Sequence, residues 1–440
     1  MTAVPAAAAA RRLEAVVCPF CALACDDLLV TAEGSDLIST AHGCERATAA
    51  FGATRLPALP RIDGEPTTME AALDRAAALL ARSRLPLFAG LGTDTAAMRE
   101  VLALADGLGG IVDHARAAGL MANLEAMRAT GWVTGTLAEL KSRADLVLLV
   151  GGEIDSLAPR LAERLLRPTS MLGPGTPATR RLVALGAGTA ATRMDEHLPC
   201  PPDRLPEVLA ALRALVAGRQ IGPLTSEAPP IEALRALARA LGEARYAAIV
   251  WSLAGLDSTQ ASLVAWTLAE LTKELNVRGG TGQENRAIGV PLAGAGNVIG
   301  ANQVTAWQTG LPLRTSLATG VPDHAPLGHA AAGLLERGQV DLCCWIDAFG
   351  DAPRPAFHGA PRLELTAGME PAVEGAPAAV SIPVGIPGLD HAGTIYRSDG
   401  VVSLPVRALR ASDLPSVAEV LRAIAARLPS AMAGQPGPRN

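Results

Sequence analysis

The chain has 440 residues, of which 49% are hydrophobic, 18% are charged and 3% are aromatic, and its formal net charge is −5. An average soluble domain is roughly 25% charged, and this chain has no basic excess, which argues against nucleic-acid binding. No apolar run approaches the ~18 residues of a membrane span. The composition predicts a globular protein of two or three domains with cores of small aliphatic side chains.

The N-terminal part of the chain alternates short apolar runs with turns. Residues 27–39 predict a β-hairpin whose turn is Glu33-Gly34-Ser35. The Pro-rich segment 56–66 (LPALPRIDGEP) then predicts a linker. We therefore expect a small β region over residues 1–55 that contains four of the cysteines.

Beyond residue 66, helical patterns alternate with short apolar runs. Thr67 and Glu70 form a capping-box pattern for a helix that ends near Arg84, and Gly107 predicts the end of a second helix. The predicted strands are Leu85–Ala89, Gly110–Asp113, Leu146–Val150, Arg181–Leu185, Ala247–Ser252 and Leu342–Ile346. Further helices are expected at 95–106, 119–129, 231–242, from after residue 252 to about 276, and 416–428.

This alternation predicts an α/β fold with doubly wound parallel sheets. A second Pro-bounded segment, 221–230, divides the pattern. We predict one α/β lobe region over residues 56–225 and another over 226–440, with elements that can interleave in space.

Four of the seven cysteines, Cys18, Cys21, Cys25 and Cys44, lie near the N-terminus. Three of them fall within eight residues, and the predicted hairpin returns the chain to bring the fourth. Four thiolates suit a [4Fe–4S] cluster or a zinc ion, and the C-x2-C-x3-C spacing favours the cluster. The alternative is four buried thiols without metal. An odd cysteine count without a secretory signal favours a reducing cytoplasm.

The segment Cys18–Asp27 (CPFCALACDD) resembles the N-terminus of the B-type subunit of formylmethanofuran dehydrogenase, the subunit that carries tungsten or molybdenum. That family is part of the bis-pterin molybdoenzyme superfamily. The resemblance implies the molybdopterin oxidoreductase type of fold. It continues across nearly the whole chain, through Leu85–Gly90, Leu108–Asp113, Ala144–Arg160, Gly300–Gly310 (GANQVTAWQTG) and Gly393–Gly400 (GTIYRSDG).

The catalytic positions of that family carry other residues here. The family's Cys-His pair, whose cysteine ligates tungsten or molybdenum, falls on Gly119 and Leu120, which supply neither a metal donor nor a proton carrier. The family's Arg-Gly-His-Tyr-Asn falls on Ala293–Asn297 (AGAGN). His114 lies several residues too early, and we interpret it as an ordinary loop histidine. The resemblance therefore implies no catalytic residue in this chain.

The positions at which the family binds the pterin nucleotide are also changed. An Asn-Pro pair falls on Glu153-Ile154, and an Asp and an Arg fall within Gly186–Thr189. A carboxylate at residue 153 would repel a pyrophosphate group. Gly186–Ala191 also satisfies G-x-G-x-x-A, but the prolines from Pro199 onward leave no room for the helix that a dinucleotide site needs. We expect no tungsten, molybdenum, pterin or NAD.

These replacements match a redox-inactive branch of the family, the bacterial formyltransferase/hydrolase complex. In that complex a formyl group passes from formyl-tetrahydromethanopterin to a methanofuran-like carrier, methylofuran, and an amidohydrolase-like subunit releases formate. The resemblance implies a non-catalytic scaffold subunit of such a cytoplasmic hetero-oligomer. Its partners would be the hydrolase, carrier-binding and formyltransferase subunits, with methylofuran bound elsewhere in the complex, and neither nucleic acid nor membrane is an expected partner.

Two alternatives remain. One is an active tungsten or molybdenum dehydrogenase subunit with displaced ligands, against which Gly119 and Leu120 argue. The other is an iron–sulfur electron-transfer protein, against which the two additional α/β lobes argue. The low charged fraction also favours a subunit role, because extensive apolar surface is typical of partner interfaces.

Overall fold

The computed structural model describes residues 10–33, 36–53, 58–167, 180–186, 194–278, 286–367 and 377–429. The fold is mixed α/β and divides into two compact units. Unit 1 is Met1–Ala117 with Ala295–Asn440, and unit 2 is Ala118–Gly294.

Strands and helices alternate through most of the chain. The strands are β1 (Arg11–Val16), β2 (Leu28–Glu33), β3 (Asp36–Ala41), β4 (Arg61–Ile62), β5 (Glu65–Pro66), β6 (Pro86–Gly92), β7 (Ile111–Val112), β8 (Leu146–Val150), β9 (Arg181–Leu185), β10 (Glu196–Leu198), β11 (Tyr246–Trp251), β12 (Arg286–Pro291), β13 (Thr315–Ser316), β14 (Asp323–His324), β15 (Leu342–Asp347), β16 (Arg362–Ala367), β17 (Val380–Val384), β18 (Gly393–Tyr396) and β19 (Ser403–Val406). The helices are α1 (Glu45–Gly52), α2 (Met69–Arg82), α3 (Thr95–Leu108), α4 (Ala117–Thr130), α5 (Leu137–Arg143), α6 (Ile154–Leu157), α7 (Leu205–Val216), α8 (Ile231–Glu243), α9 (Ser258–Arg278), α10 (Val298–Thr309), α11 (Ala331–Glu336) and α12 (Val417–Ala425).

Unit 2 is built on a five-stranded sheet with the order β10-β9-β8-β11-β12, and all of its strand pairs are parallel. Every residue of β8 is buried, as expected for a parallel strand covered on both faces. Trp251 and the aliphatic side chains of α7, α8 and α9 form one continuous core.

The large sheet of unit 1 has nine strands in the order β14-β13-β7-β6-β15-β16-β17-β4-β5. The five central strands, β7 to β17 in this order, are parallel, and antiparallel strands close both edges. Helix α3 packs against α10 and α12. A separate three-stranded antiparallel sheet, β1-β2-β3, precedes the large one.

Most of the sequence-predicted elements are confirmed, with shifts at their ends. The hairpin pairs Glu33 with Asp36, and the two residues at its tip lie outside the described ranges. The cap of α2 is Thr68, one residue after the predicted Thr67, because the Thr68 side chain accepts the Ala71 N–H. Helix α3 ends at Gly109 in the left-handed conformation rather than at Gly107. The predicted linker holds β4 and β5, which extend the large sheet.

The predicted boundary at residues 225 and 226 does not separate the two large sheets. Strands from both sides of that boundary join in the sheet of unit 2, and strands from both sides join in the large sheet of unit 1. The chain therefore enters unit 2 after residue 117 and returns to unit 1 at residue 295. A single Pro-rich segment could not reveal this, because the division depends on pairing between distant strands.

The N-terminal β region also belongs to unit 1 rather than forming a separate domain. The Ser398 N–H donates to the Ala22 carbonyl at 2.9 Å, and the Arg407 guanidinium donates to the Glu14 carbonyl at 2.8 Å. The ring of Phe20 packs edge-on against Phe349. Across the described ranges, no helix is both long enough and apolar enough to cross a bilayer.

Candidate functional site

Each parallel sheet has one point at which the chain leaves neighbouring strands in opposite directions. In unit 1 this point lies between β6, which leads to β7, and β15, which leads to β16; in unit 2 it lies between β8 and β11. Open α/β sheets bind their ligands at the carboxyl ends of the strands at such a point. The residues at the ends of β6 and β15 are therefore one candidate site, and those that follow β8 and β11 are another.

At the carboxyl edge of the unit 2 sheet, the backbone groups that follow the strands are bonded to one another. We call this arrangement a closure by backbone. The Ser252 N–H donates to the Val150 carbonyl, the Gly151 N–H to the Leu185 carbonyl and the Gly186 N–H to the Leu198 carbonyl, at 3.0–3.1 Å. A Cβ on Gly151, at φ +95°, would lie 2.2 Å from the Ser252 carbonyl oxygen. Only glycine allows this close approach.

The family's metal-ligand and pterin positions fall beside this edge. Gly119 lies in the first turn of α4, and a Cβ built on it would lie 3.5 Å from the Cβ of Leu253, an ordinary van der Waals contact. Leu120 is half-buried. Glu153 adopts the left-handed conformation before the short helix α6, and Ile154 is buried. Residues 187–189, the rest of the second pterin segment, lie outside the described ranges.

At the carboxyl edge of the unit 1 sheet, polar side chains are bonded to the backbone of neighbouring loops, and we call this a closure by side chains. Asn297 makes two of these bonds. Its Nδ2 donates to the Thr93 carbonyl at 2.9 Å, and its Oδ1 accepts the Tyr396 N–H at 2.8 Å. A Cβ on Gly300 would lie 2.3 Å from this Oδ1, so the glycine makes room for the amide. Asn297 thereby joins the end of β6, the start of α10 and the strand β18.

His114 is a second structural side chain at the same edge, and only 1% of its surface is exposed. Its Nε2 lies 2.9 Å from the Gly296 carbonyl and its Nδ1 lies 3.0 Å from the Arg116 N–H. The tautomer with the proton on Nε2 satisfies both bonds. Burial lowers the pKa of His114 to about 4, although the bond to Gly296 opposes the shift. The ring is therefore neutral at pH 7, and both nitrogens are engaged in backbone bonds rather than left in an open loop.

Two carboxylates at the carboxyl ends of strands are also bonded to backbone: Asp94 lies two residues after β6, and Asp347 is the last residue of β15. Asp94 caps α3 by accepting the Ala97 N–H at 3.1 Å, and burial raises its pKa. Asp347 accepts the N–H groups of Gly350 at 3.0 Å and Ala352 at 2.9 Å, and burial raises its pKa as well. Both carboxylates serve as backbone acceptors, which is the role of a cap and not of an exposed acid or base.

Asp113 and Arg314 form a buried ion pair beside His114. Their closest atoms, the Arg314 Nε and an Asp113 oxygen, are 3.3 Å apart, and the second Asp113 oxygen accepts the Ala331 N–H at 2.8 Å. Burial raises the pKa of Asp113, and Arg314 opposes the shift. Removal of either partner would leave an uncompensated buried charge, so this pair fixes the loop after β7.

Sequence reasoning placed Ala293–Asn297 at a lost catalytic segment but missed the role of its last residue. Ala293 is buried. Asn297, by contrast, is a structural amide. The sequence feature that could have indicated it is the glycine three residues later in Gly300–Gly310, which leaves space for a side chain to fold back.

The four N-terminal cysteines of the expected ligand set differ in burial. Cys18, Cys21 and Cys25 are buried, whereas Cys44 is half-buried at the start of α1. A hydrogen bond with Cys25, followed by burial, raises the pKa of Cys21 well above its ordinary value. Within the ranges that the structure describes, which include all four cysteines, no three His, Cys, Asp or Glu side chains are grouped as a metal ion requires. The four-cysteine ligand set for a [4Fe–4S] cluster or zinc therefore stays a prediction.

The fold and the site define a class of protein: a mixed α/β protein of parallel sheets in which Asn297, His114, Asp94 and Asp347 at one switch point are bonded to backbone. Similarity to known proteins identifies the particular relatives. The chain is 27% identical over 368 residues to the B-type subunit of the formyltransferase/hydrolase complex Fhc of Methylorubrum extorquens, covering 83% of this chain and 96% of the relative. No protein-family model matches the chain.

Two further relatives come from methanogens. The chain is 25% identical over 405 residues to the B-type subunit of the tungsten-containing formylmethanofuran dehydrogenase 2 of Methanococcus maripaludis, covering 88% of this chain and 91% of the relative. It is 26% identical over 418 residues to the protein of the same name from Methanocaldococcus jannaschii, covering 91% and 94%. Homologues of this chain thus include the B-type subunits of both systems, and the resemblance found in the sequence is confirmed.

A solved structure supports the same relationship. The chain matches a chain in the X-ray structure of the formyltransferase/hydrolase complex FhcABCD from Methylorubrum extorquens, determined with methylofuran. The TM-score is 0.71 at 28% identity, and the match covers 83% of this chain and 97% of the other. The predicted α/β fold class is therefore confirmed by a homologous structure.

Proposed function

We propose that this chain is a non-catalytic scaffold subunit of a cytoplasmic formyltransferase/hydrolase complex. In this proposal the complex transfers a formyl group from formyl-tetrahydromethanopterin to a methanofuran-like carrier and hydrolyses it to formate. The chemistry takes place on other subunits: an amidohydrolase-like hydrolase, a carrier-binding subunit and a formyltransferase. Methylofuran is bound there, and this chain binds neither tungsten, molybdenum nor pterin.

The observation that carries the proposal is the environment of Gly119. In the dehydrogenase family this position holds the cysteine that ligates the metal. Here, among the residues that the structure describes, a Cβ at this position would have the Leu253 Cβ at 3.5 Å as its neighbour within 4 Å. A glycine hydrogen and an aliphatic neighbour provide no ligand for a metal and no path for a proton.

The edge of the unit 1 sheet supports the same conclusion. An active site needs polar groups that are available to a substrate, whereas Asn297, His114, Asp94 and Asp347 use their polar atoms on the chain's own backbone. Such groups hold a fold rigid and offer a substrate little hydrogen-bonding capacity. A rigid frame in which these four side chains are bonded to backbone suits a subunit that positions other subunits.

Exposed apolar side chains on both units support a role in assembly. Trp307 is 62% exposed and packs edge-on against Tyr396 with ring centroids 6.0 Å apart. Leu263 and Trp266 on α9 are each 49% exposed. Aromatic side chains of this kind are enriched at interfaces and are frequent hot spots of binding energy. By holding its partners together, the subunit would raise the local concentration of the shared carrier between two active sites.

The test is to co-express this chain with the neighbouring subunits and to isolate the assembly through a tag on this chain. We expect co-purification of a hydrolase-like subunit, formate release from formyl-tetrahydromethanopterin, and no stoichiometric tungsten or molybdenum. Trp307→Arg should weaken co-purification, whereas Gln308→Arg, on the exposed face of the same helix, is the matched control. A stable monomer that captures no such subunit would contradict the proposal.

The alternative of an active dehydrogenase subunit rests on the two tungsten-containing relatives. It predicts near-stoichiometric tungsten or molybdenum and formate-dependent reduction of an electron acceptor by the purified assembly. The variant Gly119→Cys distinguishes the two hypotheses further. In a scaffold it leaves formate release unchanged, because no metal or pterin is present for the new thiol to bind.

A further inference from the structure

We infer that the cysteine loop, residues 18–25, is a metal-independent packing element that anchors the N-terminal sheet to the rest of unit 1. The starting point is the burial of three of the four cysteines. Cys18, Cys21 and Cys25 are 3%, 8% and 4% exposed, so their sulfur atoms lie inside the protein. Buried thiols behave as small hydrophobic groups.

The loop is closed by its own hydrogen bonds. The Cys18 N–H donates to the Cys25 carbonyl at 2.8 Å, and the Ala24 N–H donates to the Cys21 carbonyl at 3.2 Å. Ala24 lies in the left-handed region at φ +44°. The thiol of Cys21 interacts with those of Cys25 and Cys18. These bonds define the loop without requiring a bound ion.

The outer side of the loop carries the contacts that anchor it. Phe20 packs edge-on against Phe51 at 5.6 Å between ring centroids and against Phe349 at 6.5 Å. The Phe20 carbonyl accepts a bond from Arg46 at 3.3 Å, and the Ala22 carbonyl accepts the Ser398 N–H at 2.9 Å. One short loop thus connects α1, the loop after β15 and the turn after β18.

Cys44 distinguishes this packing role from a ligand role. It is half-buried, it precedes α1, and its side chain makes no capping bond. A four-thiolate site requires all four cysteines equally, whereas a packing element requires the three buried ones. Substitution of Cys44 should therefore leave the melting temperature unchanged under the packing role and lower it under the ligand role.

The experiment uses the full chain, together with any subunits that co-purify with it, from cells supplied with iron and zinc and handled anaerobically. Iron and zinc are measured by elemental analysis, and the melting temperature is measured before and after treatment with EDTA and bipyridyl. We expect substoichiometric iron and zinc and an unchanged melting temperature after chelation. Cys44→Ala should melt like the wild type, whereas Cys21→Ala should melt lower by about 2–4 °C.

Phe20→Leu is the second variant, because it keeps all four thiols while removing the edge-on ring contacts. We expect it to lower the melting temperature by an amount similar to Cys21→Ala. The inference is overturned if the wild type retains one zinc or four irons per chain and if Cys44→Ala loses both that metal and thermal stability. It is also overturned if chelation alone lowers the melting temperature of the wild type.

Discussion

The carboxyl edges of the two parallel sheets occupy equivalent places in the fold and are closed in different ways. In unit 2 the closure is made by backbone, with Gly151 against the Ser252 carbonyl. In unit 1 it is made by side chains, with Asn297 and His114 bonded to loops that follow other strands. Neither edge leaves the polar groups named here available to a ligand.

The difference shows that the carboxyl edge of a parallel sheet can be filled by two physical routes. A backbone closure depends on the absence of a Cβ and tolerates changes in the neighbouring side chains. A side-chain closure depends on the exact polar atoms, because an unpaired buried donor or acceptor costs about 1–3 kcal/mol. The two edges should therefore respond differently to substitution, and the following predictions test that difference.

The largest effect is expected for Gly151→Ala in unit 2. The new methyl group would lie 2.2 Å from the Ser252 carbonyl oxygen, at a φ of +95° that alanine rarely adopts. We expect the free energy of unfolding to fall by about 4 kcal/mol, as urea titration followed by tryptophan fluorescence would measure. Gly222→Ala is the control, because a Cβ there meets nothing within 4 Å. Equal stability of the two variants would show that the backbone closure is absent.

Asn297→Ala should have the next largest effect, about 3 kcal/mol, and it acts on the edge of unit 1. The change leaves the Thr93 carbonyl and the Tyr396 N–H without their partner and places alanine at φ +58°. Asn297→Gly removes the amide without the conformational strain, and thermal unfolding of the two variants separates these contributions. If Asn297→Gly is as stable as the wild type, the amide is not what closes this edge.

The third prediction concerns the pH dependence of unit 1. The pKa of His114 is lowered to about 4 in the folded chain, compared with 6.5 ordinarily. Between these pH values the unfolded chain binds a proton that the folded chain does not, so stability decreases as the pH falls through this window. Between pH 7 and pH 5 this histidine should lower the free energy of unfolding by about 2 kcal/mol.

The measurement compares urea unfolding of the wild type and of His114→Gln at several pH values. The buried carboxylates with raised pKa values, Asp94, Asp113 and Asp347, act in the opposite direction and are present in both proteins, so the difference isolates the histidine. His358→Gln, at an exposed loop residue, should keep the wild-type dependence. Parallel curves for the wild type and His114→Gln would contradict the assignment.

The fold was largely predictable where local patterns determine it. Leu146–Val150 is a continuous apolar run and forms β8 with the predicted ends. Helix α10 was not predicted, because it contains Gly300 and β-branched residues and has no apolar stripe. Its start is fixed to the end of β6 by the bond from Asn297 to the Thr93 carbonyl, and the helix packs against α3.

The bonds of the candidate site could not be predicted from the sequence. The replacement at Gly119 is visible at one position of the sequence once the family is recognised. The bond between Asn297 and the Thr93 carbonyl joins residues 204 positions apart, and the bond between His114 and Gly296 spans 182. No local sequence pattern predicts such bonds, because their partners are distant in the sequence and are brought together only by the topology of the sheet.

The smallest effect is expected for Gly119→Ala, and its sign is the opposite of the others. Gly119 lies within α4, its φ is not positive, and an added Cβ would make an ordinary contact with Leu253 at 3.5 Å. Alanine loses less conformational entropy in a helix than glycine does, so we expect a gain of about 0.5–1 kcal/mol in the free energy of unfolding. Gly242→Ala in α8, where a Cβ meets nothing within 4 Å, is the matched control and should gain a similar amount.

In the assembled complex, formate release should be unchanged in both variants, because a scaffold requires no particular atom at residue 119. A variant at this position that kept the assembly intact and abolished formate release would show that the glycine contributes to catalysis after all.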